Sequence, residues 1–139
     1  MKLLKIIFFL FLTSSNLLAN TTYFNEGLIF YEKKEFDKAK FKFEQDIVFN
    51  PKSEKSYLYL SKIFNKKKKK ELEEKNLNTV ILLNPLNEEA TYNLAKLKLN
   101  ESNYSESKKL IDQLLSFCNS FCQESKDLKI EIEKSFIKK

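Results

Sequence analysis

The chain has 139 residues and a net charge of +6; its 25 basic residues are all lysine, and it has no histidine and a single glycine. Without histidine the commonest general base and metal ligand is missing, and one glycine cannot build a phosphate-cradling loop. Without arginine the chain lacks the bidentate guanidinium favoured for phosphate and nucleic-acid recognition, so the composition weighs against an enzyme, a metal or cofactor, and a nucleic-acid partner.

Residues 1–19 differ from the rest. Lys2 and Lys5 form a short positive region, Ile6 to Leu12 an unbroken apolar run, and Leu17-Leu18-Ala19 a candidate cleavage site. This is the pattern of a secretory signal peptide. The apolar run is too short to span a bilayer, and no cysteine near Ala19 is placed to take a lipid. The expected mature chain, 20–139, has no membrane span, and loss of two lysines lowers its net charge to +4. The expected location is the periplasm, with secretion as second choice.

From residue 20 onward the apolar spacing is helical, and nothing reads as a strand. The only two prolines, Pro51 and Pro85, each follow an asparagine and lie 34 residues apart. Each should end a helix, because proline lacks an N–H and disfavours helical geometry at the preceding residue. Laid over itself at this period, the chain aligns Gly27, Ser61 and Ala95 as a column of small residues. Tyr23 and Tyr57 share a column with Thr91. Phe43, Leu77 and Ile111 form a large apolar column, as do Ile47, Ile81 and Leu115, and Phe49, Leu83 and Phe117. The segment Phe36-Asp37-Lys38-Ala39 recurs loosely as Tyr104-Ser105-Glu106-Ser107. Ser53 and Asn87 are expected N-caps, with Glu54 and Glu88-Glu89 placing negative charge in the first turns. The run Lys66–Lys70 falls at a turn between helices, where it should be solvated. A seventh helix is expected at 121–137, with Phe121, Ser125, Leu128, Ile132 and Phe136 on one stripe and Lys126, Lys129, Glu133 and Lys134 facing away. The acidic residues are expected mostly on exposed helix faces, with no inward pair fit for acid–base catalysis.

A period of 34 with these columns resembles the tetratricopeptide repeat, a helix–turn–helix unit. The resemblance covers 20–53, 54–87 and 88–119, and implies an all-α solenoid of seven helices, the last capping the stack. Tyr23, Gly27, Phe30, Phe36, Ala39, Phe43 and Pro51 of the first repeat match the family pattern. The second repeat departs at Lys70 and Glu73, where the family has an aromatic and an alanine. The third departs at Lys98, in place of an aromatic, and at Asn119, in place of proline.

In this family the first helices of successive repeats line a concave groove that takes an extended peptide or a partner helix. Carried over, the groove positions are Phe24, Asn25, Leu28 and Tyr31, then Lys55, Leu58, Tyr59, Lys62 and Asn65, then Tyr92, Asn93 and Lys96. The implied function is a non-enzymatic protein-binding adaptor or scaffold, its partner a protein or peptide with apolar anchors and acidic or backbone groups between them. Family members that clamp a chaperone's C-terminal carboxylate use lysine, asparagine and arginine at set positions. The matching residues here are Phe24, Leu28, Tyr59, Glu89 and Asn93, so that clamp is not expected.

Cys118 and Cys122 stand at the junction of the third repeat and the capping helix. In an oxidising compartment two cysteines read as a disulfide. A spacing of four is at the edge of disulfide geometry in a regular helix, and a turn between them relaxes it. So small a loop would contribute about 2 kcal/mol and staple the cap to the third repeat. Two alternatives stand beside the adaptor: a thiol-dependent envelope protein acting through Cys118 and Cys122, and a structural protein that self-associates through the stacking face of its first repeat. Two thiols without histidine make an incomplete zinc site.

Overall fold

The computed structural model describes residues 22–137; the expected signal peptide lies outside them. Among the described residues there are seven helices and no strand: α1 (22–32), α2 (Phe36–Phe49), α3 (Glu54–Lys66), α4 (Lys70–Leu83), α5 (Glu88–Asn100), α6 (Tyr104–Phe117) and α7 (Cys122–Ile137). Helices α1 and α2 fall within 20–53, α3 and α4 within 54–87, α5 and α6 within 88–119. None of the helices is long and apolar enough to cross a membrane.

The turns repeat as faithfully as the helices. Among the described residues, Lys34, Lys68 and Ser102, at intervals of 34, are the non-glycine residues with left-handed backbone, at φ 60°, 55° and 59°. Each closes the first helix of a hairpin in the same way. The N–H of Glu35, Lys69 and Asn103 donates to the carbonyl of Phe30, Phe64 and Lys98 respectively, each at 2.9 Å. This six-to-one bond satisfies a carbonyl left over at the helix end and usually has glycine at the left-handed position. A side chain there is strained by about 1–2 kcal/mol. Lys68→Gly should therefore stabilise the chain by about 0.5–1 kcal/mol, after the greater entropy of an unfolded glycine. Urea unfolding checks it, and an unchanged or lowered midpoint would contradict the strain assigned to this turn.

The second helices end in Asn50 and Asn84, whose N–H groups donate to the carbonyls of Asp46 and Val80. A β-turn follows each, with proline at its second position. The N–H of Ser53 reaches Asn50 at 2.9 Å, and that of Asn87 reaches Asn84 at 3.0 Å. Asn87 then caps α5, its side chain accepting from the Ala90 N–H. The Ser53 hydroxyl, ahead of α3, donates to the Asp46 carboxylate. In the third repeat the place of the Asn-Pro pair is taken by Cys118-Asn119. There Cys118 ends α6, Cys122 begins α7, and a disulfide joins them.

Contacts divide the described residues into two compact units, one running to Ser56 and one starting at Tyr57. The first is built on Phe43, which is fully buried together with Ala39. The Phe24 ring meets Phe43 at 5.7 Å, and Tyr23 stacks on Phe49 at 5.4 Å. Gly27 lies under the Phe43 ring so closely that a Cβ there would sit 2.6 Å from a ring carbon. Asp46 is also buried, accepting from the hydroxyls of Ser53 and Ser56.

The second unit has two apolar clusters. Leu58, Leu77, Val80, Ala90, Leu94 and Leu97 form one, with Tyr57 and Ile81 packed against it. Ala95, Ile111, Leu114, Leu128 and Ile132 form the other, where α7 covers α6. On α7, Ser125, Leu128 and Ile132 are buried as expected. Lys129 does not simply face solvent, since its ammonium bonds Asp112 of α6 at 2.7 Å.

Candidate functional site

Within the second unit, α3 and α5 carry five of the expected groove residues, Tyr59, Lys62, Tyr92, Asn93 and Lys96, together with Glu89. Lys62 reaches from α3 to Glu89 in the first turn of α5, Nζ to carboxylate at 2.7 Å, and lies 4.7 Å from the Tyr59 ring centre. One turn along α5, Lys96 sits 5.6 Å from the centre of the Tyr92 ring. Cation and ring face attract in both pairs. Tyr59, Tyr92 and Asn93 are half-buried and Lys96 is exposed. The face thus offers two aromatic rings, two ammonium groups and an amide, which suits apolar anchors and the carbonyl or carboxylate groups between them.

Asn65 is directed elsewhere: its amide N–H donates to Glu73 of α4 at 2.9 Å. The Tyr92 ring contacts Phe121 at 5.5 Å. Its hydroxyl pKa is raised above 10, first by burial and then by Glu124, Glu131 and Asp127 of α7. In the first unit, Phe24 packs on Phe43, Tyr31 on Phe36, Leu28 is half-buried, and Asn25 and Lys55 are exposed. Several expected groove aromatics therefore also serve as packing.

Two carboxylates are exceptions to the expectation that acidic side chains lie mostly on exposed faces. Asp46 and Glu73 are buried, and so is Lys98. Lys98 stands where the family has an aromatic; its ammonium is held by Glu74 and, at 3.3 Å, by Glu101. Burial works to lower its pKa, but the two carboxylates hold it above the ordinary value. Glu73 stands where the family has alanine, and burial pushes its carboxyl up against the opposing effect of the Asn65 hydrogen bond. The fold therefore holds its proton more tightly than the unfolded chain does. The stability from this group is complete below the ordinary value of 4.5 and is lost as pH rises through the folded value. Glu73→Gln keeps an acceptor for Asn65 and removes the charge, so it should stabilise by about 1 kcal/mol at pH 7. The gain should shrink as pH approaches 4. Denaturation at both pH values tests this, and a gain equal at the two would be inconsistent with it.

Glu88 was expected only as negative charge in the first turn of α5, and the structure gives it a distant second task. Its carboxylate accepts the N–H groups of Asn119 at 2.9 Å and of Ser120 and Phe121, each at 2.8 Å. These bonds, that of Phe121 foremost, hold its pKa below the usual carboxylate value. The disulfide turn and the first turn of α5 are thereby tied together.

No protein-family model matches the sequence, and no curated protein matches it either. The fold, in contrast, is found in many solved structures. The yeast Sti1 domain TPR2B, solved as a pHsp70 complex, superposes with a TM-score of 0.77 at 15% identity, covering 84% of this chain and 98% of that one. The second domain of human RPAP3, solved with the HSP70 peptide SGPTIEEVD, gives 0.73 at 15% identity, covering 85% and 98%. The Yersinia enterocolitica type III secretion chaperone SycD, solved with a peptide of the translocator YopD, gives 0.75 at 12% identity, covering 85% and 92%. With the 34-residue recurrence of helices, turns and buried columns, these likenesses identify the fold as that of tetratricopeptide repeat domains, an all-α solenoid of helix–turn–helix hairpins.

Proposed function

We propose that this chain is a non-enzymatic binding module of the bacterial cell envelope that holds a peptide or helix of a partner protein on its α3/α5 face. The observation that carries the reading is the pairing of Tyr59 with Lys62 and of Tyr92 with Lys96 on neighbouring first helices. Similar folds solved with peptides of HSP70 and of a translocator support it. The carboxylate-clamp pattern is absent, and Glu89 at one of those positions would repel an acidic peptide end. A partner with apolar anchors spaced along an extended segment or helix fits better. The envelope location rests on the signal-peptide pattern of residues 1–19.

In-cell crosslinking of the wild type and a Tyr59→Ala/Lys62→Glu variant tests the face. A partner captured by the wild type and lost in the variant is expected. Equal capture by both would move the binding site off α3 and α5. Mass analysis of the protein recovered from an envelope fraction tests export: a product beginning near Asn20 is expected, and a full-length chain in the cytoplasm would contradict it.

A further inference from the structure

We infer that the Cys118–Cys122 disulfide is a redox latch on the α3/α5 face, closed when oxidised and released by a dithiol reductant. The inference concerns regulation of the proposed binding face and rests on that reading.

The three hairpins close their second helices at equivalent places. Two use Asn50-Pro51 and Asn84-Pro85, whose pyrrolidine rings no redox change can open. The third uses a disulfide between the last residue bordering α6 and the first of α7. Only this closure is chemically reversible, and both cysteines are half-buried, not sealed in a core. The exchange balances with a dithiol. Its thiolate attacks one sulfur to give a mixed disulfide, and its second thiol displaces the protein sulfur. The reductant leaves as a disulfide, having given two electrons and two protons, and Cys118 and Cys122 become thiols.

The turn so released bears directly on the face. The crosslink gathers residues 118–122, the turn before α7, where three successive N–H groups converge on the one Glu88 carboxylate. Phe121, inside the same turn, packs against Tyr92. Glu88 adjoins Glu89, which holds Lys62 above Tyr59. Opening the disulfide frees the turn, removes the convergence on Glu88 and loosens the Phe121 ring from Tyr92. The positions of Tyr92 and Lys62 on the binding face then change with redox state.

The test uses the whole chain, oxidised, with and without dithiothreitol, read by amide hydrogen exchange and amide NMR spectra. Reduction should lower the protection of Asn119, Ser120 and Phe121 by about tenfold. It should also shift the signals of Glu89, Tyr92 and Lys62. Changes confined to 117–123, or none, would overturn the latch. Cys118→Ser/Cys122→Ser should reproduce the reduced state. Should that variant not fold, Glu88→Gln and Phe121→Ala keep the disulfide while cutting its links to α5. In either, dithiothreitol should no longer shift Tyr92 and Lys62, and a persisting shift would refute the proposed route. As a probe of binding, a peptide selected from a random library on the oxidised chain, and lost with Lys62→Glu, should bind at least about fivefold more weakly after reduction. Equal affinity would overturn the latch but leave the face standing. If no selected peptide depends on Lys62, the face reading fails, and the exchange data still decide the latch.

Discussion

Phe43→Ala should cost about 3–5 kcal/mol, the range for truncating a fully buried aromatic. Much of the stability of so small a chain would go with it. Phe43 is fully buried, receives the Phe24 ring at 5.7 Å, and has its ring against Gly27. The position has a more telling partner test. Down the 34-residue columns, glycine is matched with phenylalanine (Gly27, Phe43), serine with leucine (Ser61, Leu77), and alanine with isoleucine (Ala95, Ile111). The largest of the three apolar side chains, phenylalanine, is matched with the smallest residue, glycine, while leucine and isoleucine, equal in size, are matched with serine and alanine. Gly27→Ala alone should destabilise by about 1–3 kcal/mol despite its better helix propensity, because its Cβ would press a ring that cannot withdraw. Combined with Phe43→Leu, the same substitution should turn neutral or stabilising, since the leucine vacates the space and alanine favours the helix by about 1 kcal/mol. Urea unfolding of the two single variants and the double settles the sign. Additive effects would show that the column pairing is accidental.

The buried Asp46 should show a second large coupling. Its carboxylate accepts from Ser53 and from the fully buried Ser56 hydroxyl. The same two columns in the next repeat hold Val80 and Ala90, both fully buried in one apolar cluster. One repeat therefore fills the place with a hydrogen-bonded pair and the next with an apolar pair. Ser56→Ala alone takes a donor from a buried carboxylate, and Asp46→Val alone leaves the buried Ser56 hydroxyl only the Ser53 hydroxyl at 3.0 Å; each should cost about 1–3 kcal/mol. The double variant restores the pairing of the second repeat, so its cost should fall below the sum by about 1–3 kcal/mol. A double-mutant cycle by chemical denaturation measures that difference directly. Its absence would mean that the two side chains do not depend on each other.

The groove residues divide according to how far the evidence in the sequence reached. Tyr59, Lys62, Tyr92 and Lys96 were placed by the family resemblance, and the structure pairs each tyrosine with the lysine a turn away. Asn65 was placed by the same resemblance yet turns toward Glu73, because a buried carboxylate needs a donor more than an exposed amide needs solvent. Glu73 and Lys98 were visible as departures from the repeat pattern. What they do instead was not, since the partner of Lys98 on α4 lies 24 residues away.

What the sequence determined by itself is local or periodic. Proline and asparagine set the ends of helices because their constraints act within a few residues of backbone. The recurrence of small and large residues marked the buried stripe because every hairpin solves the same packing problem, and the signal-peptide pattern of residues 1–19 is read from composition alone. The tertiary structure decided which charged groups are buried and which partners they take. It also revealed that the three N–H groups at the disulfide turn converge on Glu88, more than 30 residues earlier in the chain. Such pairings depend on the spacing and angle of packed helices, which bring together residues that no sequence period relates.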